Sequence, residues 1–163
     1  MKAKKYRLET VLGLRRRAKD EAAQMVARRF EQLEQAEAEL VRRRSALQSC
    51  YERQNQAQNS MNDELQRGLP ARGVVAHQNY LNDLRELEKE LAAAVDQQIA
   101  VVKTAEKEVE AARLKLIEAA RDVKSIEVHK EGWIAAERAV DARRAQKISD
   151  EIGAILHNRR ERT

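Results

Sequence analysis

Apolar side chains recur along this chain with a 3-4 spacing that is most regular between Val74 and Ile126. One row is Val74, Leu81, Glu88, Val95, Val102, Val109, Leu116 and Val123, and the other is His77, Leu84, Leu91, Gln98, Ala105, Ala112, Ala119 and Ile126. Thirteen of these sixteen positions are apolar, where a 42% hydrophobic composition alone would place about seven. The repeat describes a helix with a narrow apolar seam, wide enough to pack against one other helix and too narrow for burial inside a globule. Upstream, Leu12, Lys19, Val26, Leu33, Leu40, Leu47, Gln54 and Met61 form a comparable row with six of eight apolar. Its companion row, from Arg15 through Ala22, Arg29, Ala36, Arg43 and Cys50 to Ala57, mixes small residues with arginines, whose stems can cover a seam while their heads reach water. Residues 1–7 are basic, carry no capping signal and are expected to fray.

Gly68, Pro70 and Gly73 crowd into six residues between the two patterns. Proline cannot continue the preceding helix and glycine supplies the positive φ of a helix stop, so this stretch reads as a short turn. The pattern therefore predicts an all-α fold with a single domain over 1–163: helix 1 over about 8–66, a turn at 67–73 and helix 2 over about 74–158. A short connection makes the helices antiparallel, an antiparallel coiled-coil hairpin. Folding back near residue 70 sets Leu47 beside Ala93 and Val26 beside Leu114, so the two seams meet. Helix 2 then overshoots helix 1 by about 25 residues beyond Gly132. In the overshoot the rows fail at Lys130, Glu137, Arg144 and Lys147, and a displaced stripe of Ile148, Ile152 and Ile155 or Leu156 follows, an apolar face that calls for another protein to cover it.

Composition agrees with this reading. Charged residues are 36% and aromatic residues 3%, with five glycines and one proline, the bias of long helices rather than of a compact core. Charge of one sign collects at the ends: residues 1–20 carry eight basic side chains against two acidic, and residues 138–163 seven against four. With a total of +5, the middle of the chain is net acidic. Antiparallel pairing would bring the two basic ends together.

Candidate chemistry is sparse. No glycine-rich phosphate loop, HExxH or paired CxxC occurs, and His77, His129 and His157 are too far apart to share a helical face as metal ligands. An enzyme is not expected, and no cofactor, metal or small-molecule substrate is implied. His77 reads as a helix-end or packing histidine, Cys50, the single cysteine, as a small buried apolar group, and Phe30 and Trp133 as packing residues. With no signal peptide or long apolar run, a cytoplasmic protein is expected. Tyr51 and Tyr80 near the turn are either edge residues shielding the seam or part of a docking face. Arg15, Arg16, Arg17 and Lys19 are either a solvated helix face or a surface for an acidic protein groove or for nucleic acid. A basic-zipper arrangement is disfavoured, because the cluster lacks asparagine and the Leu8/Leu12 stripe begins inside it.

In order and spacing, Leu8-Glu9-Thr10-Val11-Leu12, the turn Gly68-Leu69-Pro70, the run Tyr80-Leu81, Leu84 and Leu87-Glu88-Lys89, and the late Asp150-Glu151-Ile152 resemble the flagellar export protein FliJ family of the bacterial type III export apparatus. The resemblance spans nearly the whole chain and implies a coiled-coil hairpin similar to the stalk of rotary ATPases. Its paired ends would enter the pore of the hexameric export ATPase, with the shaft and turn end facing the membrane export gate and export chaperones at the inner face of the cell membrane. On that basis Leu8, Leu12, Arg15, Arg16, Arg17, Asp150, Glu151, Ile152 and Ile155 are expected to contact the ATPase, and Tyr51, Tyr80 and Leu84 the gate or chaperones. The stalk of an injectisome secretion system shares the architecture and is the alternative, followed by a basic coiled-coil scaffold or a nucleic-acid-binding protein.

Overall fold

The computed structural model describes residues 5–160. Two helices account for nearly all of them: α1 (Glu9–Gln66) and α2 (Ala71–Arg160). α1 ends in a Schellman arrangement. Gly68 has φ +92°, its N–H donates to Leu65 O at 3.1 Å, and the Leu69 N–H donates to Glu64 O at 3.0 Å; these bonds satisfy carbonyls that the helix end would otherwise leave open. The Pro70 carbonyl then accepts from the N–H groups of Gly73 and Val74 at 2.8 and 3.2 Å, which opens α2 at once. Gly73 thus lies in the first turn of α2 rather than in the connection. A Cβ at Gly73 would lie 2.5 Å from Leu69 Cδ1, so this glycine serves close packing of Leu69 and the turn is three residues shorter than its glycine content suggests.

The chain divides into two compact units, one of Gln24–Arg113 and the other, among the described residues, of 5–23 with 114–160. Within each unit α1 and α2 pack antiparallel, as the seams predict. All sixteen row positions from Val74 to Ile126 are buried or half-buried. On α1 within the 24–113 unit the deepest burial falls on the companion row: Ala36, Cys50 and Ala57 are buried while Leu33, Leu40 and Leu47 are only half-buried. With two helices and no third layer, small side chains let the backbones approach and become enclosed, whereas Leu33, Leu40 and Leu47 each keep one flank toward water. In the 24–113 unit Cys50, Ala57, Leu81 and Leu84 form the core, with Met61, Leu87 and Leu91 against it. Cys50 is fully buried, its thiol donating to Leu84 O at 3.4 Å.

The polar row residues Gln54, Glu88, Gln98 and His77 each have a polar partner on the facing helix. The Gln54 amide donates to Glu88 Oε2 at 2.8 Å and to Leu84 O at 3.2 Å. Buried Gln98 donates to Ala36 O at 2.9 Å, reaching the carbonyl because alanine leaves room. His77 Nε2 lies 3.0 Å from Glu64 Oε2, joining the helices beside the turn. Such buried polar contacts fix register, since a slip of one turn would strand each group without a partner. Outside the seam, Arg29–Glu108 at 2.8 Å flanks the same unit, and the Arg113 guanidinium lies 4.8 Å from the centre of the Phe30 ring. Phe30 is thus an edge residue covered by a cation rather than a core residue.

Candidate partner-binding surfaces

In the unit of 5–23 with 114–160, Tyr6 is held in place although it precedes α1. Residues 1–4 of the expected fray lie outside the described residues, but Tyr6 is only 7% exposed. Its hydroxyl sits 2.7 Å from His129 Nδ1 and 3.5 Å from Ile126 O, and its ring lies 5.4 Å from that of Trp133. A tyrosine outside any helix gave no periodic signal; an aromatic six residues ahead of Leu12, facing a lone tryptophan, was the available clue. Leu12 is 1% exposed and packs between the helices. Leu84 likewise lies in the core of the other unit. Neither side chain is presented outward.

The basic cluster separates by geometry. Arg15 pairs with Asp122 at 2.8 Å and Arg16 with Glu127 at 2.7 Å, and beside them Lys130 pairs with Glu9 at 2.7 Å. The Arg16 guanidinium, by its hydrogen bond first and its charge second, holds the Glu127 carboxyl below the usual carboxylate range. Arg17 and Lys19 are exposed and in no ion pair among the described residues. They are the charges this face has to offer a partner, while Arg15 and Arg16 bind the two helices together.

From Arg138 to His157 every side chain of α2 is exposed. Ile148, Ile152, Ile155 and Leu156, at i, i+4, i+7 and i+8, stand out among them, Ile155 at 66% exposure. Asp150 accepts from Gln146 Nε2 at 2.7 Å, and Glu151 is exposed. Twenty-three residues of helix separate Glu127 from Asp150, roughly 35 Å at 1.5 Å per residue, so the residues expected to meet the ATPase form two patches rather than one. Near the turn, Tyr51 and Tyr80 are both exposed. Tyr51 follows the buried Cys50 and Tyr80 precedes the buried Leu81, phases that put them on opposite flanks of an antiparallel pair; they do not build one face.

No helix among the described residues is long and apolar enough to cross a membrane, and no group of three or more His, Cys, Asp or Glu among them is arranged to hold a metal ion. No curated protein matches the chain. A solved structure, described as that of a YscO homolog, CT670 from Chlamydia trachomatis, is similar with a TM-score of 0.84 and 24% identity over 99% of each chain, a likeness that bears on the fold. A family model described as YscO-like protein matches residues 3–163, so the resemblance to type III export proteins holds at the level of the secretion machinery while the flagellar branch is not the one matched, and the chain belongs to the YscO-like family.

Proposed function

We propose that this chain is the stalk-like component of an injectisome type III secretion apparatus, and that it binds the hexameric export ATPase of that apparatus through the unit holding both ends of the chain. The observation that carries the reading is the stretch of α2 beyond Arg138, a helix with no partner helix beside it, whose isoleucine stripe needs a cover that the described residues do not supply. Family membership over nearly the full chain supports the same class of machine. In this reading Ile148, Ile152, Ile155 and Leu156 pack against the ring, Arg17 and Lys19 orient the entering end, and Leu12, Arg15 and Arg16 stiffen it from within. The exposed flanks with Tyr51 and Tyr80 are the surfaces left for the export gate or export chaperones. The chain itself hydrolyses nothing; it acts by assembling or stimulating the ATPase.

Co-purification with the cognate export ATPase, and nucleotide turnover with and without this protein, tests the proposal. Retention on the ATPase with increased assembly or turnover is the expected result; neither binding nor any change in turnover overturns it. A flagellar stalk is the second reading, kept by the ordered FliJ-like motifs from Leu8 to Leu12 and from Gly68 to Lys89. Deletion of the gene separates the two: loss of effector secretion with intact motility supports the injectisome role, and loss of flagella the other.

A further inference from the structure

We infer that the cleft formed by the chain entry and α2, in the unit of 5–23 with 114–160, is a docking site for an acidic protein segment carrying one bulky apolar side chain. The cleft has a volume of about 680 Å³, enough for a large side chain with its neighbours. One wall is the non-helical segment Lys5 to Leu8, and the other is a single face of α2 with His129, Trp133 and Glu137 one turn apart. Its floor is built in advance. Tyr6 is pinned through its hydroxyl to His129, and the Tyr6 ring lies 5.4 Å from Trp133 and 5.8 Å from His129, a rigid aromatic surface that an apolar side chain can cover at little entropic cost.

Charge around the cleft names the flanking chemistry. Lys5 and Arg7 stand exposed on the lining, and neither is in an ion pair among the described residues. Lys130, whose Nζ is 6.0 Å from the Tyr6 ring centre, is by contrast already neutralised by Glu9. An apolar anchor flanked by carboxylates satisfies both the floor and the rim. Nucleic acid fits less well: two free cations are few for a phosphodiester backbone. The inference goes beyond the stalk reading, because the ligand chemistry is the same whether or not the chain enters an ATPase.

Trp133 is the only tryptophan in the chain, so its emission reports occupancy of the cleft directly. The full chain is titrated with a short synthetic peptide bearing one phenylalanine between glutamates, with the same peptide carrying lysines for glutamates, with the glutamate peptide carrying glycine for phenylalanine, and with a short oligothymidine. Saturable change with the first, and binding at least about tenfold weaker for the other three, is expected. The pair Lys5→Glu and Arg7→Glu, which lie outside both helices, should weaken the first peptide by about tenfold or more with helicity unchanged. No response to the first peptide, equal responses to all peptides, or preference for the oligonucleotide overturns the inference. A Trp133 shift that follows protein concentration without peptide also overturns it, since the occupant is then a second copy.

Discussion

Two glycines act in opposite ways in this chain, and substitution separates them. Gly68 holds φ +92° at the end of α1, a conformation costing an L-residue about 1–2 kcal/mol, so Gly68→Ala should lower stability by about 1 kcal/mol in urea unfolding. Gly132 lies within α2, and a Cβ there meets nothing within 4 Å; Gly132→Ala should raise stability by about 0.5–1 kcal/mol by removing backbone freedom from the unfolded chain. The two changes thus have opposite signs although both replace a glycine by the best helix former. Carboxylates give a second residue-level effect. Glu64 beside His77, Glu127 beside Arg16 and Glu39 beside Arg43 and Arg42 are each held below the usual carboxylate range, in every case chiefly by the hydrogen bond to the named partner. A depressed folded value means that the unfolded chain takes up protons first, so the stabilisation is complete above about pH 4.5 and is lost as pH falls through the lower folded values. Thermal unfolding followed from pH 6 to pH 3 should show this decline, smaller in Arg16→Gln, which releases Glu127; an identical slope in that variant would remove Glu127 from the account.

At the scale of the helices, the seam sets stability and its polar interruptions set register. Truncating Leu84, enclosed in the core with Cys50 and Leu81, should cost about 2–4 kcal/mol, against under about 0.5 kcal/mol for Ile155→Ala on the open stripe. The Gln54–Glu88 pair permits a sharper test. Gln54→Leu alone leaves a half-buried carboxylate facing an apolar group and should destabilise by about 1–3 kcal/mol, whereas Gln54→Leu with Glu88→Leu should recover most of that loss and weaken register specificity. Additive effects of the two changes would show that the hydrogen bond carries no coupling. These elements also explain what could be read from sequence. The 3-4 rows are dictated by which side of a helix avoids water, so they gave the pairing and even the placement of Gln98 at the interface, while the short connection around Pro70 gave the antiparallel direction. Burial depth was not legible, because it depends on how near two backbones come; Leu33, Leu40 and Leu47 look dominant by hydropathy, yet Ala36, Cys50 and Ala57 are buried more deeply than they are. Tyr6 was missed for a related reason, being held by tertiary contacts alone, and the start of α2 was misplaced because Gly73 packs against Leu69 rather than turning the chain.

For the whole molecule, the division between charges that hold the chain together and charges left for a partner decides where function can be disrupted without unfolding. Arg16 is engaged with Glu127, so Arg16→Glu sets two carboxylates against each other across the helices and should lower stability and ATPase binding together. Arg17 is exposed without an ion pair among the described residues, so Arg17→Glu should weaken ATPase binding alone, most at low salt, where exposed charges act over the longest range. The isoleucine stripe gives the stricter test. Ile152 and Ile155 contact no other part of the described chain closely enough to be shielded, and replacing both by aspartate removes the apolar face while leaving the α1–α2 seam untouched. Far-ultraviolet dichroism and the unfolding midpoint should stay within error of the parent, while retention on the export ATPase and its stimulation are lost. Binding that survives the double substitution would detach the stripe from the ATPase and leave the proposed stalk role without its carrying observation. Loss of helicity in the same variant would instead show that α2 beyond Arg138 depends on its apolar face within the isolated chain, a result that equally removes the stripe as a surface held open for a ring.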